Sequence, residues 1–212
     1  MAARRVRVGG VVARDAGAHV APGDITVDDQ ALDHPAGILV ALHKPAGHVS
    51  SHNDGEGPTV FTLLPAQWLG RLPRPEAVGR LDKETSGLLI VTDDHDLLHR
   101  LTSPRHEVDK VYVAVLDAVP EASLIETFAA GTLQLRSETL PCKPAGLRLL
   151  DGASAEVTIT EGKYHQVRRM FGACGYKVLA LHRISVGPWS IDDLAPGEWR
   201  DLNVSDLNPA TA

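Results

Sequence analysis

A chain of 212 residues, 43% hydrophobic and 23% charged, has the apolar content for one large folded domain, or for a large domain with a small appendage. It lacks the run of about eighteen apolar residues that a membrane-spanning helix needs, its basic N-terminus lacks the apolar core of a secretory signal, and Cys142 and Cys174 are too few for a disulfide framework. A net charge of −6 gives no global attraction to nucleic acid, so a partner of that kind would need a local basic patch.

Residues 4–32 read as short extended pieces, Arg5-Val6-Arg7-Val8 and Ile25-Thr26-Val27 among them, broken by the turn signals Gly9-Gly10 and Pro22-Gly23. His34-Pro35-Ala36-Gly37 reads as a linker. A strand follows over 38–42 and runs into His43-Lys44-Pro45-Ala46-Gly47, where Pro45 and Gly47 force a turn. The polar, Gly-rich stretch 48–58 reads as a surface loop. Leu97, Leu98 and Leu101 give residues 94–101 helical spacing, 110–116 is a buried strand, and 121–130 is a helix stopped by Gly131. Residues 155–160 alternate as a strand. A helix is expected from Tyr164, with Val167, Met170, Phe171 and Cys174 facing the core and Gly175 closing its C-terminus. A turn at 194–198 leads into a last strand. Strands outnumber helices without βαβ regularity, which predicts an α+β fold.

Charge is unevenly spread. From Glu161 to Arg183 lie Lys163, His165, Arg168, Arg169, Lys177, His182 and Arg183, with Glu161 the only acid; Arg100, Arg105, His106 and Lys110 form a second basic group. Both suit an anionic partner. The stretch Glu161-Gly162-Lys163-Tyr164-His165-Gln166-Val167-Arg168-Arg169 also opens a helix, whose free backbone N–H groups favour a phosphate or a carboxylate. The competing reading is an exposed polar face opposite the Val167 stripe.

Chemistry is concentrated in Gly79-Arg80-Leu81-Asp82-Lys83-Glu84-Thr85-Ser86-Gly87, between two apolar segments. A turn of this kind lifts charged side chains out of a sheet edge and fixes them, although Asp82 could simply cap the turn. Other candidates are weaker. His48-x3-His52 and His95-x3-His99 have ligand-like spacing without an evident third ligand, so they read as solvated. Ser50, Ser51 and Ser86 lack the strand–turn–helix elbow of a serine hydrolase, and neither a phosphate-binding loop nor a dinucleotide fingerprint occurs. Cys174 reads as core.

Taken together and in order, these segments resemble the pseudouridine synthases of the RsuA/RluB type, over roughly residues 37–205. The resemblance is carried by Leu42-His43-Lys44-Pro45-Ala46-Gly47 (with His43 where Asn is usual), Arg80-Leu81-Asp82, Lys110-Val111-Tyr112-Val113, the 161–171 stretch, Leu181-His182-Arg183-Ile184 and Leu194-Ala195-Pro196-Gly197-Glu198. It implies a pseudouridine synthase catalytic domain over 37–212, with a mixed, mostly antiparallel sheet flanked by helices. Residues 1–36 would be a strand-rich remnant of an α-L RNA-binding domain. The helical half of that domain is missing, so either the chain starts late or RNA is recruited mainly through the catalytic domain. The 102–106 segment and the Leu-Ala-Pro-Gly-Glu ending look most like the small-subunit (16S) rRNA enzymes, with large-subunit (23S) rRNA the alternative target.

The implied reaction breaks the N1–C1′ bond of a flipped-out uridine, turns the base and joins C5 to C1′. No atom is added and no redox change occurs, so it implies neither cofactor nor metal. Asp82 would act on the sugar, on the base, or on a proton beside the anomeric carbon; the three routes stay open. The resemblance makes Arg168 the ion partner of Asp82 and Tyr112 the ring that stacks on the target base. Arg80 would fill the space the base leaves. Lys44, Lys163 and Arg183 would meet phosphates, and His165 and Gln166 complete the RNA-binding set. The expected partner is ribosomal RNA, free or in a partly assembled small subunit, in the cytoplasm, with no membrane and no need of an oligomer. Two rivals are an rRNA-binding assembly factor without catalysis and a metal-dependent hydrolase built on the histidines.

Overall fold

The computed structural model describes residues 4–103 and 105–207; Pro104, within the 102–106 segment, lies outside them. The chain divides into two compact units, residues 1–38 and 39–212. In the first, β1 (Val6–Val8), β2 (Val11–Val12), β3 (Ile25–Val27) and β4 (Gln30–Ala31) form an antiparallel sheet in the order β2-β1-β3-β4. Gly9 and Gly10, both at positive φ, make the two-residue hairpin turn between β1 and β2.

The second unit is built on a nine-stranded sheet. Its strands are β5 (Leu39–Lys44), β6 (Glu76–Val78), β7 (Thr85–Thr92), β8 (Lys110–Leu116), β9 (Gly146–Leu149), β10 (Ser154–Ile159), β11 (Val178–Val186), β12 (Trp189–Ser190) and β13 (Trp199–Asp201). The order is β13-β5-β7-β11-β8-β10-β9, with β6 also on β7 and β12 also on β11. β7 and β11 run parallel, and the other pairs are antiparallel. The α+β expectation and its mixed, mostly antiparallel sheet hold. β7 lies in the interior of the sheet because Leu88-Leu89-Ile90-Val91 is apolar on both faces, and all four residues are wholly buried.

Helix α1 (His95–Thr102) starts where the Asp94 side chain accepts from Leu97 N at 2.9 Å, and it packs Leu97 and Leu101 against Leu88, Ile90 and Ala41. Helices α2 (Ser123–Ala129) and α3 (Gln166–Ala173) meet through Phe128 and Phe171, ring centroids 5.1 Å apart. α3 begins two residues later than its apolar spacing suggests, because His165 sits in the left-handed region at φ 48°, ψ 36°. Val167, Met170 and Phe171 are buried as expected; Cys174, at the C-cap, is only half-buried. Gly175, at φ 87°, and the Tyr176 N–H, which donates to Phe171 O, close the helix. Among the described residues no helix is long and apolar enough to cross a membrane.

Candidate active site

The Arg80–Asp82 segment connects β6 to β7, two antiparallel neighbours, and is held from below and from the side. Gly79, at φ 63°, opens it, and Thr85 N donates to Asp82 O at 3.0 Å to close it. Ser50, from the loop expected to be solvent-facing, is 7% exposed; its Oγ donates to Leu81 O at 2.8 Å and accepts from Leu81 N at 3.2 Å. Lys83 Nζ donates to Glu56 O at 2.6 Å in the same loop. The turn is therefore clamped by a segment some thirty residues upstream, and nothing local in the sequence signals the clamp.

Beneath it, Lys44 at the end of β5 is fully buried and its ammonium donates to the carbonyls of Pro45, Lys83 and Thr85, the last at 2.7 Å. Burial pushes its pKa down to about 8, against the pull of Asp82 and Glu84, with Arg183 adding to the push. Arg183, on β11, is 1% exposed and donates to Leu88 O at 2.7 Å and Gly79 O at 2.9 Å. It stands opposite Tyr112 of β8 in register, with its Nη1 3.5 Å from the Tyr112 hydroxyl. Lys44 and Arg183 were expected to meet phosphates. The structure places both in the interior, where they tie backbone carbonyls together around the Asp82 turn, and Arg183 also lines the cavity above it.

A cavity of about 250 Å³ opens above these groups, lined by Asp82, Tyr112 and Arg183, with Ile159, Val167 and Leu181 as an apolar wall. Lys110 also lines it, its pKa lowered first by burial and then by Arg183, with Asp109 opposing. Asp82 thus faces a partly apolar space that Arg80, Lys110, Lys163 and Arg183 also line.

The start of α3 forms the opposite wall and departs from expectation in its pairing. His165 Nε2, not Arg168, is the basic atom beside the carboxylate, 3.2 Å from Asp82 Oδ1, with the two side chains 38% and 34% exposed. The Tyr164 ring stacks on His165 at 3.8 Å. Arg168 instead donates to Val178 O at 3.1 Å and Glu84 O at 3.4 Å, so it braces the turn through a carbonyl. The Asp82–Arg168 ion pair is absent among the described residues because the helix starts late and its first-turn arginine is already held by those two carbonyls. Gln166, expected on the RNA, is 4% exposed; its Nε2 donates to Glu161 and its Oε1 accepts from Lys163 N. Lys163 lines the cavity, but it is 17% exposed and lies 3.9 Å from both Glu138 and Glu161. Glu138 also meets Arg169 at 2.6 Å. Two cations of the basic stretch, Lys163 and Arg169, thus share an acid distant in sequence.

A second, larger cavity of about 780 Å³ shares Arg80, Asp82, Tyr164 and His165 with the first, and adds Ser50, Ser51, Asn53 and Arg168. Arg80 is exposed, and its guanidinium has no partner among the described residues. His52 and Ser86 serve the fold. His52, rather than being solvated, stacks on Phe61 at 3.7 Å. Ser86 Oγ meets His182 Nδ1 at 2.9 Å, and the edge-on neighbour of His182, His43, ends the row at the Leu194 carbonyl. Among the described residues no group of three or more His, Cys, Asp or Glu could hold a metal ion.

The sequence pattern of the RNA pseudouridylate synthases matches residues 38–173, the span that carries the Asp82 turn, Tyr112 and α3. The chain belongs to this family. A relative from Pasteurella multocida, named ribosomal small subunit pseudouridine synthase A, is 43% identical over 173 residues, 81% of this chain and 73% of its own length. The Escherichia coli K12 protein of the same name is 40% identical over 208 residues, 96% of this chain and 87% of its own. A solved structure described as that of a pseudouridylate synthase superposes with a TM-score of 0.75 at 35% identity, covering 96% of this chain and 87% of that one. The chain is accordingly an RNA uridine isomerase with the pseudouridine synthase fold.

Proposed function

We propose that this protein converts a specific uridine of small-subunit (16S) ribosomal RNA to pseudouridine, with Asp82 as the catalytic carboxylate. The observation that carries the reading is the position of Asp82: on a turn clamped by Ser50 and Lys44, it faces a small, partly apolar cavity against Tyr112. The 16S target is supported by relatives 40% and 43% identical that bear the small-subunit name.

The uridine enters that cavity after leaving its stack, at a cost of a few kcal/mol. Tyr112 packs on the base and Asp82 acts at the bond between ribose and base. The N1–C1′ bond breaks, C5 joins C1′, C5 loses its proton and N1 gains one, so atoms and electrons balance within the nucleotide. His165 orients the carboxylate, Arg168 holds the turn by its Glu84 carbonyl, and Arg80, exposed between the two cavities, reaches the neighbouring nucleotides. Residues 1–36 are read as the strand half of an RNA-binding module. The substrate is ribosomal RNA, free or in a partly assembled small subunit, in the cytoplasm, and a monomer suffices.

The test maps pseudouridine in ribosomal RNA from cells with and without the gene, by carbodiimide-dependent reverse-transcription stops. One small-subunit site is expected to vanish and to return with wild type but not with Asp82→Asn. Loss of a large-subunit site instead would overturn the 16S target, and rescue by Asp82→Asn would overturn the role of the carboxylate.

A further inference from the structure

Tyr164 is 72% exposed and lines both cavities beside Asp82. One face of its ring is covered by His165 at a centroid distance of 3.8 Å and an interplanar angle of 21°. An aromatic ring left largely in water forgoes the gain of burial. The backbone of Tyr164 is used by the fold, since its carbonyl accepts from Arg169 Nη1 at 2.9 Å, but its ring has no aromatic neighbour besides His165 among the described residues. In the larger cavity it stands with Arg80, Lys83 and Arg168, the small polar side chains of Ser51 and Asn53, and the acids Glu56, Asp82 and Glu84. A flat, open π-face among hydrogen-bonding groups, with the Arg80 guanidinium, unpartnered among the described residues, in the same cavity to meet a phosphate, suits an unstacked nucleobase. The cavity adjoins the Asp82 cavity, so a strand with one nucleotide at Asp82 continues into it.

We propose that the second cavity is a subsite for a nucleotide adjacent to the target uridine, with that nucleotide's base stacked on the open face of Tyr164. The inference rests on the reading of Asp82 as the site of uridine isomerisation. The Tyr164–His165 pair is pre-stacked, and His165 is held by Asp82, so the platform is ordered before the base arrives.

The test is equilibrium binding of in vitro transcribed small-subunit rRNA to Asp82→Asn protein, in which turnover cannot contribute. Adding Tyr164→Ala is expected to raise Kd between about 5- and 150-fold, the range spanned by losing one base–aromatic stack. Tyr164→Phe, which keeps the π-face, is expected to stay within about twofold of the parent. Tyr164→Ile, which keeps bulk without a π-face, should weaken binding as alanine does; this separates stacking from mere packing. If the parent binds and the alanine variant binds equally well, the subsite is wrong while the proposed function stands. A parent that binds neither the free rRNA nor a partly assembled small subunit removes the proposed function, and the subsite with it.

Discussion

His165 Nε2 lies 3.2 Å from Asp82 Oδ1, which joins the residue before α3 to the turn before β7. His165 holds a left-handed backbone conformation, unusual for a residue with a side chain, and two side-chain contacts, the Tyr164 stack and the Asp82 carboxylate, accompany it. A contact this exposed contributes up to about 1 kcal/mol, so His165→Ala is expected to lower kcat/KM on 16S rRNA by up to about fivefold, and His165→Gln to restore part of it. Steady-state kinetics beside Arg168→Ala decide the assignment. Wild-type turnover in His165→Ala with a collapse in Arg168→Ala would return the partner role to Arg168.

Ser50 pairs with both backbone groups of buried Leu81, accepting from its N–H and donating to its C=O. Ser50→Ala leaves the two unpaired, which costs about 1–3 kcal/mol. Urea denaturation should register that loss, and amide exchange at Leu81 should accelerate. A change under about 0.5 kcal/mol, the ordinary effect of a surface substitution, would mean that the 48–58 loop does not hold the Asp82 turn.

Gly87 stands in β7 at φ 111°, where a Cβ would lie 2.2 Å from Arg183 O and 2.6 Å from Arg183 N. Both obstacles are backbone, so relief requires β7 and β11 to separate at their parallel contact. Gly87→Ala is expected to destabilise by roughly 3 kcal/mol or more, combining overpacking with strain. Thermal unfolding measures it, and a melting temperature equal to wild type would contradict the close approach of the two strands.

Lys44 provides a pH signature. Its pKa falls from 10.5 to about 8 on folding, so between those values the unfolded chain binds more protons than the folded one. Stability from this group therefore rises with pH across that window, by up to about 1.4 kcal/mol per pH unit, and is lost as pH falls through 8. Urea midpoints of wild type and Lys44→Met, compared from pH 8 to 10, should show the steeper rise in wild type. Parallel curves would mean that Lys44 has a similar proton affinity in both states.

Much of this protein could be read along the chain. The apolar run at Leu88–Val91 announces a strand buried on both faces, the spacing of Leu97 and Leu101 announces α1, and the strand at 110–116 ends where expected, because burial periodicity is a local property. The Arg80-Leu81-Asp82 turn and Tyr112 were likewise legible, as residue types fixed in motifs, and the structure brings both to one cavity. The partnerships of the charged groups were not legible. Lys44, Arg183 and Gln166 have side chains that ordinarily face water, and only the stacking of β5, β7 and β11 and the approach of Glu161 to α3 bury them against carbonyls and a carboxylate. The exchange of Arg168 for His165 beside Asp82 turned on a single left-handed residue, which delays α3 and redirects its first turn. Local order along the chain is enough to specify which residues make strands, helices and the Asp82 turn, since those depend on neighbours a few positions away. Three-dimensional packing settles which basic side chain faces the carboxylate, which cations are buried and which stays exposed. Charge pairing depends on distances between segments tens of residues apart, and no local pattern encodes them.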